Sequence, residues 1–287
     1  MTLTTMTSPS NLPSNPMDGA VGSSRAPLFS LEGVKYRYAE ADALNGVCLP
    51  IYPGQRLALV GANGSGKSTL LRILDALLFP SSGSIRFRDQ ILTEDRFADD
   101  NFAYSFRRQV GFVFQNSDAQ LFCPTAFEEV AFGLLQLQLG QDEVADRVHH
   151  ALARLEIGHL ASRPPHRLSG GEKKKVALAS VLVLEPDVLL LDEPTAGLDP
   201  RSQTQLIEIL DGWKDPAKTI VTATHDLHML EDLAESCAVL EQGRLIASGP
   251  PAQILEDRSL LERANLIHAH RHSRAPHSHS HSGLHRD

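Results

Sequence analysis

Eight residues constrain this chain more than any others: Gly61-Ala62-Asn63-Gly64-Ser65-Gly66-Lys67-Ser68. They follow the apolar run Leu57–Val60 and precede Thr69 and the helix-like stretch Thr69–Leu78. Strand, small-residue loop, Lys-Ser and helix in this order form the context that a phosphate-binding loop requires. Small residues let backbone N–H groups converge on an anion, and the helix N-terminus adds partial positive charge. In such a loop Lys67 supplies a point charge to the terminal phosphates and Ser68 a hydroxyl for Mg²⁺. The bland alternative, a chance glycine-rich turn, does not call for the Lys-Ser pair or the helix behind it.

Two further apolar runs read as buried strands, Val188–Leu191 and Thr219–Ala223. Each of the runs leads into helix-like sequence, such as Arg201–Leu210. Alternating strands and helices predict an α/β chain built on a parallel sheet, and ligands of such sheets sit beyond the carboxyl ends of the strands. The polar residues at those ends are therefore the candidate site. Asp192 and Glu193 end the second run and His225 follows the third. Asp192 is placed to hold Mg²⁺, and Glu193 to accept a proton or hydrogen bond from an attacking water. By itself this acidic pair could equally cap a strand before the turn at Pro194.

The stretch Phe127–Leu184 reads as mostly helical and large enough to form a subdomain. Within it, Leu168-Ser169-Gly170-Gly171-Glu172 precedes a helical run from Lys173 to Leu184. Ser169 suits a helix N-cap, and the two glycines allow close backbone approach, so this is a candidate second anion site. The alternative is a simple capping loop. Lys173–Lys175 reads as a solvated helix face.

Two biased tails flank the globular part. Residues 1–27 are rich in Thr, Ser, Asn and Pro, too poor in apolar surface to offset their ordering entropy, and are expected to be disordered. Residues 268–287 hold seven of the thirteen histidines: His268, His270, His272, His277, His279, His281 and His285. The folded unit is expected over residues 28–265. A net charge of −8 argues against unspecific nucleic-acid binding. Three widely spaced cysteines, Cys48, Cys123 and Cys237, fit a reducing compartment rather than a disulfide framework and, Cys123 excepted, are expected to fill the core. No apolar run has the length of a membrane span, and no secretory leader is legible at the start.

With these motifs assembled, the chain resembles the ATP-binding-cassette family from about Leu28 to Gly249, with every family motif in family order. Tyr38 matches the aromatic that stacks on adenine, and Gly61–Ser68 the Walker A loop, whose Gly61, Asn63, Gly64, Ser65, Gly66, Lys67, Ser68 and Thr69 would hold ATP. Gln115 matches the Q-loop glutamine, which touches the metal site. Ser169, Gly170, Gly171 and Glu172 match the family signature, with Glu172 where glutamine is commoner. Asp192 and Glu193 match Walker B, Asp199 the D-loop, and His225 the switch histidine. The resemblance implies the fold of a P-loop NTPase: a RecA-like, mostly parallel sheet core, an antiparallel β subdomain and a helical subdomain at about 116–184. It implies the cofactors ATP and Mg²⁺, the latter held by Ser68, Gln115 and Asp192, with Glu193, His225 and Gln115 catalytic. It also implies head-to-tail pairing, each ATP lying between one unit's Gly61–Ser68 and the other's Ser169-Gly170-Gly171.

The segment after Gln115 is similar to the ATPases of energy-coupling-factor importers. It keeps Gln120-Leu121-Phe122 and Pro124-Thr125, with Ala119 between Asp118 and Gln120, and continues Glu128-Glu129-Val130-Ala131-Phe132-Gly133, with Glu129 where that group often has Asp. In that group the region receives a transmembrane partner, so Leu121, Phe122 and Phe127 are expected to be exposed for docking, whereas Phe132 is expected in the core. Alternating His-x-His in 268–287 suits nickel, cobalt, copper or zinc; a solubilising tail is the alternative. The scattered His149, His150, His159, His166 and His228 read as surface residues. Taken together, the sequence points to the ATPase of a nickel or cobalt importer at the cytoplasmic face of the cell membrane. Its expected partners are a second cassette (a copy or a paralogue), a transmembrane coupling subunit and a substrate-binding membrane subunit, with no nucleic acid. A vitamin importer and a soluble metal-responsive ATPase stay open as alternatives.

Overall fold

The computed structural model describes residues 26–267, apart from 40, 138 and 214–216. The expectations for 1–25 and for the histidines of 268–287 therefore lie outside the described residues.

A six-stranded sheet forms the centre, in the order β10-β9-β3-β8-β7-β6. Its strands are β3 (Arg56–Val60), β6 (Val110–Val113), β7 (Val188–Asp192), β8 (Thr219–Thr224), β9 (Ser236–Glu241) and β10 (Arg244–Gly249). The pairs β6–β7, β7–β8, β8–β3 and β3–β9 are parallel, and β10 closes one edge antiparallel. Both faces are covered, which explains why every residue of β3, β7 and β8 is buried. Alternate residues divide between the faces as the strand period requires. Val188 and Leu190 join one core cluster while Leu189 and Leu191 join another.

On the first face lies α1 (Lys67–Leu74), with a second, antiparallel sheet beyond it. That sheet runs β2 (Ala41–Ile51), β1 (Phe29–Tyr38), β4 (Ser82–Phe87) and β5 (Gln90–Ile91). Two short helices, α2 (Glu94–Phe97) and α3 (Asp100–Gln109), connect it to β6. On the second face pack α4 (Ala126–Leu135), α5 (Gln141–Arg154), α6 (Gly170–Leu182) and α7 (Pro200–Gly212). The C-terminal α8 (Leu230–Leu233), α9 (Pro251–Glu256) and α10 (Arg258–Arg263) cover β3 and β9.

The α/β architecture with separate parallel and antiparallel sheets is the one the sequence points to. The strand read from sequence at Thr219–Ala223 is one residue longer, and the helix expected at Thr69–Leu78 starts earlier and stops at Leu74. The four-residue β6 went unread, being too short to show a period. Register sets up the site. Val60 pairs with Thr224 and Asp192 with Ala223. The residues just past those ends, Gly61, Glu193 and His225, therefore emerge side by side at one sheet edge.

Candidate active site

The loop after β3 is held tightly. A Cβ at Gly61 would lie 2.4 Å from the Leu240 carbonyl oxygen, and one at Gly66 2.6 Å from that of Ala43. Gly66 also has φ 107°, a conformation that side-chain-bearing residues avoid. It caps α1 with no side-chain hydrogen bond, so the helix start is left to an external acceptor. Lys67 folds back over the loop, its Nζ donating to the carbonyls of Gly61 (2.7 Å) and Ala62 (3.2 Å). Ser65 Oγ is buried in the loop without a partner. A buried orphan hydroxyl beside a cationic Nζ and an uncapped helix start suits an anion.

The acidic pair closes on this loop. Ser68 Oγ donates to Asp192 Oδ1 at 3.0 Å. Glu193 is 4% exposed, and its Oε1 lies 2.8 Å from His225 Nδ1 and 3.8 Å from Lys67 Nζ. Burial lowers the pKa of Lys67, against the opposing pull of Glu193 and Asp192. Burial raises that of Asp192, while the hydrogen bond from Ser68 lowers it. The cluster thus holds one cation and two carboxylates in a poorly solvated space, where each group depends on the others.

Glu193 has φ 48°, outside the usual range for a residue with a side chain. The surroundings over-determine that conformation. Its N–H donates to the Ala223 carbonyl at 2.9 Å. Its own carbonyl accepts from Lys174 Nζ at 2.8 Å, and the same ammonium reaches the Ala196 carbonyl at 3.2 Å. This corrects the reading of Lys173–Lys175 as a solvated face. Lys173 does turn outward to Asp118 (2.6 Å), but Lys174 is 6% exposed and pins the backbone on either side of Pro194-Thr195. Burial lowers its pKa, opposed by Glu193 and Asp192.

Ser169–Glu172 forms a second cluster, packed against α7 rather than bonded to the first. A Cβ on Gly171 would meet Leu198 at 3.6 Å and Ser202 at 3.7 Å. Glu172 closes a capping box: Ser169 N–H donates to its Oε2 at 2.7 Å, and Glu172 N–H donates to Ser169 Oγ at 3.3 Å. These bonds hold the Glu172 carboxyl below the ordinary range. The spacing Ser-x-x-Glu carried that signal in the sequence. Asp199 caps α7, accepting from Ser202 N–H at 3.1 Å and from Ser202 Oγ at 2.7 Å.

The remaining candidates are spread around these two clusters. Asn63 and Gly64 lie exposed in the loop, and Thr69 is buried in α1. Tyr38 is 39% exposed at the end of β1, edge-on to Tyr36, with Arg72 Nη1 of α1 donating to its hydroxyl at 3.4 Å. Gln115 is exposed just past β6. Gln120 does the bracing there: its Oε1 accepts from Phe114 N–H (3.1 Å) and its Nε2 donates to the Ala177 carbonyl (3.0 Å). Glu129 Oε2 accepts from the N–H groups of Phe122 (2.8 Å) and Cys123 (2.7 Å), fixing the turn before α4. Phe122 is 68% exposed; Leu121 and Phe127 are partly buried. Phe132, expected in the core, is 46% exposed and stacks edge-on against Phe122 at 4.9 Å. Cys48 is likewise exposed rather than a core filler, Cys123 is partly buried, and Cys237 is buried. His149, His150, His159, His166 and His228 are all exposed.

Residues 44–196 match the ABC transporter family model. The nickel import ATP-binding protein NikO of Rhodobacter capsulatus is 51% identical over 244 residues, covering 84% of this chain and 96% of that protein. The cbiO1 protein of Clostridium perfringens, part of the ABC transporter complex cbiONQ, superposes with a TM-score of 0.71 at 37% identity, over 84% of this chain and 96% of its own. The ATP-binding cassette MJ0796, as a post-hydrolysis dimer bound to ADP and Pi, gives a TM-score of 0.70 at 29% identity, over 78% of this chain and 98% of its own.

Proposed function

This chain belongs to the ABC transporter family as an ATP-hydrolysing subunit, and we propose that it powers an energy-coupling-factor-type importer of nickel or cobalt ions. The observation that carries the catalytic part is the cluster of buried Lys67 and Glu193 with the exposed His225 at one edge of the parallel sheet. The metal cargo is supported by the nickel-import relative, the segment Gln120–Gly133 and the histidines of 268–287.

In this reading the Gly61–Ser68 loop and the start of α1 bind the phosphates, with Lys67 turning from the loop carbonyls to the terminal phosphate. Tyr38 takes the adenine. The hydroxyl of Ser68 and carboxylate of Asp192, 3.0 Å apart, are hard oxygen donors that fit Mg²⁺, with Gln115 approaching from beyond β6. Bound with the nucleotide, Mg²⁺ would neutralise charge on the phosphates. Glu193 orients the attacking water and receives its proton, and His225 holds the Glu193 carboxylate and the transferred phosphate. Ser169, Gly170, Gly171 and Glu172, with Asp199, face a second cassette and complete that cassette's site. No helix among the described residues is long and apolar enough to cross a membrane. The chain therefore works peripherally, on transmembrane subunits that dock against Phe122 and Phe132. The relatives are transporter ATPases, which favours transport over a soluble metal-responsive ATPase.

The test is accumulation of isotopic nickel and cobalt by cells whose transporter carries either the native chain or Lys67→Ala. Loss of either ion's uptake in the variant is expected. Uptake of both ions unchanged by Lys67→Ala would overturn the cargo reading.

A further inference from the structure

Three consecutive lysines of α6 reach three different parts of the molecule. Lys173 Nζ bonds Asp118 Oδ1 at 2.6 Å, in the segment between β6 and α4. Lys175 Nζ donates to Gln205 Oε1 of α7 at 2.8 Å. Lys174 reaches the turn that carries Glu193, donating to the carbonyls of Glu193 (2.8 Å) and Ala196 (3.2 Å). Among the described residues no other side chain of α6 is hydrogen-bonded to that turn.

The turn is therefore held from two sides. The sheet holds it through the Glu193 N–H, which donates to the Ala223 carbonyl of β8 at 2.9 Å. Helix α6 holds it through Lys174, whose single ammonium grips carbonyls on both flanks of Pro194-Thr195. Bonds inside the turn, from the Ala196 N–H to the Glu193 carbonyl and from the Leu198 N–H to that of Thr195 (3.2 Å each), carry a displacement on toward Asp199. Glu193 is sensitive to such a displacement, because its φ of 48° is kept only by its surroundings. Fixing a loop does not by itself call for a charge. Lys174 is 6% exposed and bonded to neutral carbonyls, a costly arrangement for an ammonium. The same helix begins at Ser169–Gly171, where Ser169 and Gly170 are exposed. The Lys174 backbone lies only about 6 Å along the helix axis from Gly170. A shift of the exposed turn thus reaches the ammonium through little more than one turn of rigid helix.

We propose that Lys174 is a positioning residue that couples the chain's two nucleotide-facing surfaces, setting Glu193 for hydrolysis when the chain's own Ser169–Gly171 turn is seated on a second cassette's nucleotide. Each site of a pair then reads whether the other is filled. The message runs inside one chain, from the start of α6 through the Lys174 ammonium to the Glu193 turn. This inference rests on the pairing and on the role of Glu193 proposed for the chain.

The test uses full-length chains in mixed pairs. A limiting working chain is premixed with a large excess of a silent partner before ATP and Mg²⁺ are added, and the rate of the partner alone is subtracted. Glu193→Gln is a silent partner that fills its own site with ATP, and Lys67→Ala is one that leaves it empty. Both lend the working chain the same native signature turn. A native working chain should hydrolyse ATP about tenfold faster beside the filled partner than beside the empty one, within the usual range of coupling between sites. Lys174→Met should be slow beside both, at equal rates. Lys174→Arg, which keeps charged donors for both carbonyls, should retain most of the difference. Lys175→Met, which removes the neighbouring bond to α7, should retain it as well. Weaker pairing with an empty partner slows every working chain alike, so the comparison among working chains isolates Lys174. A Lys174→Met chain that is slower but keeps the native difference would overturn the proposal. So would an equal collapse in Lys175→Met, or a native chain indifferent to whether its partner is filled. A native chain that hydrolyses no ATP beside either partner would overturn the pairing of copies itself, and the proposal with it.

Discussion

Two regions of the molecule to which we assign the same task, binding anionic phosphate, are built in opposite ways. At the sheet edge the Gly61–Ser68 loop, Asp192, Glu193 and His225 are bonded to one another, and Lys67, Asp192 and Glu193 are buried. At the start of α6 the Ser169–Glu172 turn is capped from within, and Ser169 and Gly170 stand exposed. The first region, the proposed reaction centre, holds its cation and its carboxylates bonded within itself. The second is a helix terminus capped from within and exposed at its first residues. In the proposed function, one chain thus carries a reaction centre and the complementary lid for another chain's centre. Lys174, on α6 but bonded to the backbone of Glu193 and Ala196, ties the two together.

Variants can break this contrast to different degrees. The largest effect is expected from Lys67→Ala, which removes the only side-chain cation bonded to the loop carbonyls among the described residues and should abolish ATP binding, as read by fluorescent-nucleotide titration. Glu193→Gln should keep nucleotide affinity but slow turnover by about 100-fold or more, the usual worth of a positioned base. Lys174→Met should leave ATP affinity near native but cut kcat about tenfold, since small displacements of a catalytic group are costly. Steady-state kinetics separate that outcome from simple misfolding, and Lys174→Arg should recover part of the loss. Changing Phe122 and Phe132 together to Ser should spare hydrolysis by the isolated chain and weaken co-purification with membrane subunits, because that pair lies away from the phosphate loop.

The smallest effect concerns stability. Asp75, at the C-terminal end of α1, has its pKa raised by burial from 3.8 to about 8, with Arg107 opposing. Between those values the folded chain keeps a proton that the unfolded chain has released. Folding therefore takes up a proton, and stability falls as pH rises through that window. Asp75→Asn should flatten the dependence of Tm on pH between about 4 and 8, measured by calorimetry. An unchanged slope would place the pH sensitivity elsewhere.

The self-contained region was the more legible of the two in sequence. A phosphate loop needs strand, small residues, Lys-Ser and helix contiguously, so Gly61–Ser68 declares itself within a few residues of text. Asp192, Glu193 and His225 follow from the rule that strand ends carry chemistry. What stayed hidden depends on contacts between distant segments. A run of lysines looks solvated until α6 packs beneath the Glu193 turn and buries the middle one. Phe132 sits in an apolar stretch of α4 that reads as core, yet the turn fixed by Glu129 brings Phe122 against it on the outside. The four residues of β6 show no period of their own and are a strand only because β7 runs alongside. Glu172, which departs from the commoner glutamine, is accounted for locally by the capping box.

The central proposal is that this chain's reaction centre is closed by another cassette's signature turn, and a second copy of the chain is the partner taken for the test. The most direct measurement is the solution mass of the Glu193→Gln protein, by light scattering, with and without ATP. The account predicts a single chain without nucleotide and a mass that doubles when ATP is added, since the hydrolysis that reopens the pair is blocked. ATP bound at full occupancy to a protein that keeps the mass of one chain would contradict it.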